Sequence, residues 1–292
     1  MECQLKISII TINFNNRDGL KRTLASVADQ TYSNIEYLVI DGGSKDGSVE
    51  EIKKFQNFIS YWVSESDRGI YHAMNKGVAK STGDYLLFLN SGDCLHSSSV
   101  IADNLCHLRT KEDLVMGQVK FIPSGRIGWD DISYPLTLMD FYEGGPVPHQ
   151  ACFIKRVLFD KLQYDESLRI VSDWKFFMQA IVFHKCSYKI VKSLISNFEE
   201  GGLSADRYLC DKERELVLND LLPKAILSDY ARFSNGNEYV ENRYNSFFIS
   251  LRRYNYRYSK YVYSLSVCIT KIFSILKPSL RFSQKYPVKI SE

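Results

Sequence analysis

The sequence predicts an α/β protein with a mostly parallel central sheet and helices on its faces. Two observations carry this: strand and helix patterns alternate through the N-terminal third, and the chemistry-bearing polar residues gather where the strands end. "KISIITINF" is rich in β-branched residues and stops at the turn formers Asn15, Asn16 and Asp18, so it reads as the first strand. "DGLKRTLASVADQ" then places Leu20, Leu24 and Val27 at helical spacing. "IEYLVID" is the second strand, ending in the glycine-rich "GGSKDGS"; "VEEIKKFQ" is a helix, and "ISYWVSE" a third strand ending in acid. "IYHAMNKGVAKS" reads as a helix closed by Gly83, and "DYLLFLN" as the fourth strand. Ligands of such sheets bind beyond the carboxyl ends of the strands. Asn13 to Asn16, Asp41, Glu65 with Asp67, and Asp93 all stand there.

From about residue 115 the pattern is less regular. Strands are expected at "DLVMGQVKFI" and "ACFIK", a helix at "DWKFFMQAIVFH" and a strand at "SYKIVKSLISNF". Beyond Gly202 the chain reads as helical. The expected division is a catalytic domain over 1–205 and a helical, basic and aromatic region over 206–292.

Bulk properties narrow the function classes. With 292 residues, 45% hydrophobic and 24% charged, the chain is an ordinary globular protein able to bury a large core. Seven cysteines stand singly with no C-x-x-C, which argues against a disulfide framework and a zinc site and points to a reducing compartment. "MECQLKISIITINFN" carries charge where a signal peptide needs an apolar core, and no run of 18 apolar residues exists, so a cytoplasmic, non-spanning protein is expected. The net charge of +3 hides a split: residues 243–289 hold ten Lys and Arg and no Asp or Glu, leaving 27 basic and 33 acidic residues in the first 242.

Five places carry candidate chemistry. In "VIDGGSKDGS", Asp41 enters a loop where backbone can approach a ligand, although an ordinary Asp/Ser turn explains it equally. In "SESDRGIYHAMNKG", Glu65, Asp67 and Arg68 open a helix that carries Asn75; helix capping is the competing account. "NSGD" brings Asn90, Ser91 and Asp93 to a strand end, where one carboxylate plus substrate phosphates would suit a hard divalent cation, and where a loop Asp is also ordinary. Asp173 in "RIVSDWKFFMQA" is either a helix cap or a general base. His149, with Gln150 beside it, follows a Gly-Pro-rich loop in "GGPVPHQACF", a location that favours a binding role, although a lone His is more often structural than a ligand. Neither G-x-G-x-x-G after the first strand nor G-x-x-x-x-G-K-[ST] occurs, so a dinucleotide fold and a P-loop are not indicated.

The order of these blocks is more specific than any one of them. "ISIITINFNN", "SVADQTYSNIEYLVIDGGSKDGS", "SESDRGIYHAMNKGVAKSTGDYLLFLNSGD", "PHQACFIKRVLFD" and "SDWKFFMQA" together resemble a family 2 glycosyltransferase of the GT-A fold over roughly residues 5–205. The resemblance is strongest to bacterial enzymes that build O-antigen, capsule or exopolysaccharide. It implies inverting transfer of a sugar from a nucleotide-sugar, usually a UDP-sugar, to an acceptor hydroxyl. Thr11, Asn13 and Asp41 would hold the nucleoside, with Asp67 and Asn75 lining the same pocket. Asn90 and Ser91 would flank the donor, and Asp93 would hold Mn2+ or Mg2+ on the diphosphate. Asp173 would be the base, with His149 and Gln150 near the acceptor or pyrophosphate. Two positions depart from the family pattern: Gly42 stands where a second acid is common, and Asn90 and Gly92 leave Asp93 as the lone carboxylate of its motif. A nucleotide-sugar or glycan-binding protein of the same fold is therefore the alternative. A nucleotidyltransferase would want a Gly-rich, Arg-containing first loop, which "TINFNNRDG" does not supply.

In 243–289 the ten cations interleave with eleven aromatic residues. That composition fits an anionic membrane surface bearing a lipid-linked saccharide acceptor, and it also fits a packed helical subdomain; nucleic acid is not expected as a partner. Oligomerisation is left open.

Overall fold

The computed structural model describes residues 4–129, 135–145 and 147–233. The chain divides into two compact units, Met1–Leu221 and Leu222–Glu292. The basic and aromatic stretch 243–289 lies outside the described residues, so the expected membrane surface does too.

The first unit is built on a sheet whose parallel half follows the predicted order. Strand β1 (Ile7–Asn13), buried at every position, pairs in parallel with β2 (Ile35–Asp41) on one side and β4 (Tyr85–Phe88) on the other, and β2 pairs in parallel with β3 (Tyr61–Ser64). Helices α1 (Arg17–Ala28), α2 (Ser48–Lys54) and α3 (Ile70–Lys80) make the crossovers. Leu20, Leu24 and Val27 of α1 are fully buried against Ile7, Ile9 and Val39, as their spacing predicts. Each such side chain removed from water contributes roughly 1.5–3 kcal/mol. On the other face Gly77 lets α3 press onto β1: a Cβ there would come closer than 3.0 Å to Ile10.

The second half of the sheet is mixed. β8 (Cys152–Lys155) runs antiparallel to β4, β6 (Leu114–Ile122) antiparallel to β8, and β9 (Tyr188–Glu199) parallel to β6. The order is β3-β2-β1-β4-β8-β6-β9-β5, with β5 (Cys94–Leu95) on β9 and β7 (Ile127–Gly128) on β6. Helices α4 (Val100–Leu108) and α5 (Leu138–Tyr142) lie between these strands in the chain. The helix expected at 173–184 is α6 (Ser172–Met178), which continues as a π-helical turn over Gln179–Phe183.

Helix α7 (Arg207–Leu221) belongs to the first unit, so that unit runs past the expected boundary at 205. The tie is specific: buried Glu213 accepts the backbone N–H groups of Arg169, Ile170 and Val171 at 2.7, 2.9 and 3.2 Å. Among the described residues no helix is long and apolar enough to cross a membrane.

Candidate active site

A cleft of about 850 Å³ opens at the carboxyl ends of β1, β2 and β4. Asn13, Asp67, Asn90, Ser91, Asp93 and His149 line it, which unites six of the expected residues. Thr11, Asp41, Asn75, Gln150 and Asp173 are not on its wall.

Asp41 builds the loop instead of facing the cavity. It is fully buried, and its oxygens accept Asn13 Nδ2 at 2.7 Å, the hydroxyls of Ser44 and Ser64 at 2.6 Å, and the N–H groups of Gly43 and Ser44. Burial alone would raise its pKa, but these donors hold it below the usual carboxylate range. With every lone pair engaged, Asp41 shapes the turn that puts Gly42 on the wall. Thr11 is buried too, its hydroxyl 3.0 Å from Tyr37 Oη. Asn75 clamps a loop to α3, donating to Tyr164 O at 2.9 Å and accepting from Tyr164 N at 3.2 Å. Gln150 is buried in the 3-10 turn that His149 opens.

On the β1–β2 side of the cleft, Phe14 is 66% exposed although it lines the cavity. An open aromatic face at a cleft mouth is suited to stacking on a planar ring. A Cβ at Gly42 would stand 3.1 Å from Phe14 Cδ2 and 3.5 Å from Asp67 Oδ2, so the acid missing at 42 would have pointed here. Asp67 Oδ1 meets Lys76 Nζ at 2.5 Å and His72 Nδ1 at 2.9 Å, while its buried Oδ2 has no hydrogen-bond partner among the described residues. A buried carboxylate oxygen without a donor is costly unless a ligand supplies one.

The turn after β4 carries Asp93, 4% exposed. Its own N–H donates to Asn90 O at 2.9 Å, and Thr23 Oγ1 donates to its carbonyl at 2.7 Å, which fixes the turn against α1. Asp93 Oδ1 accepts Glu199 N at 3.3 Å. Burial pushes the carboxyl up to about 7 despite the favourable charge of His149, and the charge of Glu199 adds to the rise. Glu199 arrives from the end of β9, pairs with Arg22 at 2.7 Å and lines the cleft. A Cβ at Gly92 would fall closer than 3.0 Å to a Glu199 carboxylate oxygen. Glu199 thus fills the space that the absent acid at 92 leaves. Reading the motif from "NSGD" alone missed it, since "NFEEGG" offers only two acids before a glycine pair.

Beside Asp93, His149 and Asp173 form a close pair, His149 Nδ1 to Asp173 Oδ2 at 2.7 Å. Asp173 Oδ1 accepts Tyr71 Oη at 2.9 Å, and the same hydroxyl reaches Ile170 O. Burial would raise the Asp173 pKa, but the hydrogen bond and charge of His149 hold it below its ordinary value. Burial would lower the His149 pKa, but the bond to Asp173 and the charges of Asp173 and Asp93 raise it. The two shifts agree on an attractive, half-sequestered pair.

Residues 8–162 match the family described as glycosyl transferase family 2. The chain belongs to that family. An uncharacterized glycosyltransferase of Mycobacterium tuberculosis is 36% identical over 220 residues, covering 74% of this chain and 81% of the relative. A PGL/p-HBAD biosynthesis glycosyltransferase of Mycobacterium bovis is 30% identical over 213 residues, covering 70% and 81%. Among solved structures, S. aureus TarS 1-349 in complex with UDP-GlcNAc superposes with a TM-score of 0.61 at 18% identity, covering 79% of this chain and 73% of that one. The mannosyltransferase PcManGT of Pyrobaculum calidifontis, in complex with GDP-Man and Mn2+, gives 0.59 at 14% identity, covering 95% and 82%. Both share the GT-A fold expected of this glycosyltransferase.

Proposed function

We propose that this glycosyltransferase moves a sugar, with inversion, from a nucleoside diphosphate sugar to a hydroxyl of a lipid-linked saccharide in surface-polysaccharide synthesis. The observation that carries the reading is one cleft holding both an acid suited to a diphosphate's cation and, beside it, a hydrogen-bonded His–Asp pair suited to removing a proton. A binding module of the same fold has no use for that pair.

Phe14 offers its ring to the nucleobase, and Asp67 Oδ2 waits for a donor from the nucleoside. Asn90 and Ser91 edge the path to the diphosphate. The residues present fit a hard divalent cation such as Mn2+ or Mg2+: Asp93 has one carboxylate oxygen engaged by a single long N–H bond, and Glu199 brings a second carboxylate beside it. When bound, such a cation stabilises the charge that develops on the departing diphosphate. Among the described residues no group of three or more His, Cys, Asp or Glu could hold a metal alone, so donor phosphates and water complete the shell. The acceptor hydroxyl loses its proton to the His149–Asp173 pair as the new bond forms. The composition of 243–289 supports an acceptor held at an anionic membrane, with the enzyme peripheral on its cytoplasmic face.

A thermal-shift panel of nucleotide-sugars with and without Mn2+ tests this. One donor at a hundred times its dissociation constant should add about 2.7 kcal/mol, or roughly 5–10 °C in Tm for a unit of this size. Mn2+ alone should shift Tm little and should deepen the donor's shift, an enhancement that Glu199→Gln and Asp93→Asn remove. No response to any nucleotide-sugar would refute the donor reading.

A further inference from the structure

We propose that the Tyr71 hydroxyl is a switching donor that follows the charge of Asp173: it donates to Asp173 Oδ1 while that carboxylate is ionised, and turns to Ile170 O once the carboxylate has taken the acceptor's proton. Tyr71 is thus a positioning residue for the transfer. The inference rests on the transfer reading above, with Asp173 as the group that takes the proton.

Tyr71 stands in the first turn of α3, lines the cleft and is 4% exposed. Its Oη lies 2.9 Å from Asp173 Oδ1 and also reaches Ile170 O. A phenol carries one hydrogen, so it serves only one of these acceptors at a time. Burial and the charge of Asp173 push the phenol's pKa well above its ordinary value, so the hydrogen stays on Oη. The groups around it are held in place: Glu213 Oε2 accepts the N–H of Ile170 at 2.9 Å, and His149 Nδ1 lies 2.7 Å from Asp173 Oδ2. Rotation about the Cζ–Oη bond is all that separates the two arrangements.

Charge decides between them. A hydrogen bond to an ionised acceptor is roughly twice as strong as one between neutral groups, so the hydrogen faces Oδ1 while Asp173 is a carboxylate. Burial raises the Asp173 pKa, and His149 and then the Tyr71 hydroxyl bring it below its ordinary value. A donor with no other partner would keep the carboxylate ionised and weaken it as a base, because its bond would fade when the proton arrived. Ile170 O gives the hydrogen a second acceptor, which recovers part of that loss within the step. The ionisable groups facing Asp173 are His149 of the turn before β8, Tyr71 of α3 and Tyr164 in the loop before α6, with Asp93 beyond His149.

In the transfer, the acceptor O–H proton passes to an open lone pair of Asp173, whose side chain is 18% exposed. The acceptor oxygen bonds to the anomeric carbon, and the anomeric C–O bond breaks with its electron pair leaving on the diphosphate oxygen. As Asp173 becomes neutral, the Tyr71 hydrogen turns from Oδ1 to Ile170 O. Asp173 later returns the proton to water.

Carbon-13 NMR on the full chain, free of ligand, tests the switch. The Asp173 carboxyl, identified by its loss in Asp173→Asn, should titrate below the ordinary aspartate range, and Tyr71→Phe should move its midpoint up by about one pH unit, a tenfold change in proton affinity. A midpoint that Tyr71→Phe leaves unmoved would overturn the proposal. The Ile170 carbonyl carbon of the wild type should shift through the same midpoint, and most of that shift should vanish in Tyr71→Phe; equal shifts in the two proteins would show that the hydrogen does not turn. Should Tyr71→Phe fail to fold, an Ile170 carbonyl that stays flat across the wild-type midpoint overturns the switch by itself. Release of nucleoside diphosphate from whichever nucleotide-sugar shifts Tm should show an acid limb that follows the carboxyl midpoint in both proteins, and a limb that stays in place would sink the positioning role. Failure of every nucleotide-sugar to bind would refute the transfer reading instead, and the two NMR titrations would still decide the switch.

Discussion

Glu213→Gln should both loosen and slow this enzyme, although Glu213 lies on α7, some 40 positions beyond the Asp173 it serves. Its carboxylate is 6% exposed and accepts three backbone N–H groups, those of Arg169, Ile170 and Val171. An isosteric amide keeps one accepting oxygen and turns an N–H₂ toward donors that cannot pair with it. At least one buried N–H is then orphaned, at about 1–3 kcal/mol, and the charge assistance of the remaining bonds is lost as well. A loss of about 3 kcal/mol is expected, which for a unit of this size is roughly 6–12 °C in Tm. Arg169 and Ile170 line the cleft, and Ile170 O receives Tyr71 Oη, so the same change frees the brace on Asp173. Scanning fluorimetry with steady-state kinetics at a temperature well below the mutant Tm reads both effects. A Tm within about 2 °C of wild type with unchanged kcat would show that α7 merely lies against the loop.

Two further expectations concern pH and backbone. His149 has its pKa raised above 6.5 in the fold, so its ionic contribution to stability is complete below that ordinary value and is lost as pH rises through the folded value. The Tm difference between wild type and His149→Gln should therefore shrink from pH 6 to pH 9; a difference constant over that range would contradict the pairing. Gly92 holds φ at +110°, where a side chain is strained by about 1–3 kcal/mol, and a Cβ would displace the Glu199 carboxylate. Gly92→Ala should lower Tm and erase the Mn2+-dependent part of the donor's shift, and retention of that part in urea-matched stability controls would separate Glu199 from the cation.

How far the site was legible depended on sequence distance. The parallel half of the sheet was read correctly because each unit is local: a buried β-branched strand, a short turn and a helix with its apolar face at 3.6-residue spacing, returning beside the strand it left. Strands β5 and β7, two residues each, have no periodicity to read and exist only because β9 and β6 pair with them. Asp41 was conspicuous as an acid ending a strand, yet Ser44, Ser64 and Asn13 surround it and turn it into a loop anchor. Phe14 looked like the tail of an apolar strand, and its exposure in a cleft became visible only once β2 and α3 closed around Gly42 and Asp67.

The amino-acid sequence by itself determined the α/β class, the strand ends that open onto the cleft and the family, since all three are written in short blocks and their order. Tertiary structure alone decided which side chains share the cleft. Asp93 meets Glu199 across 106 positions, and His149 meets Asp173 across 24, through strands β8 and β9 that pair with non-neighbours in the chain. Periodicity reports which face of an element is buried; it holds no measure of distance between elements. The second acid beside Asp93 and the partner of Asp173 could therefore emerge only from the folded sheet.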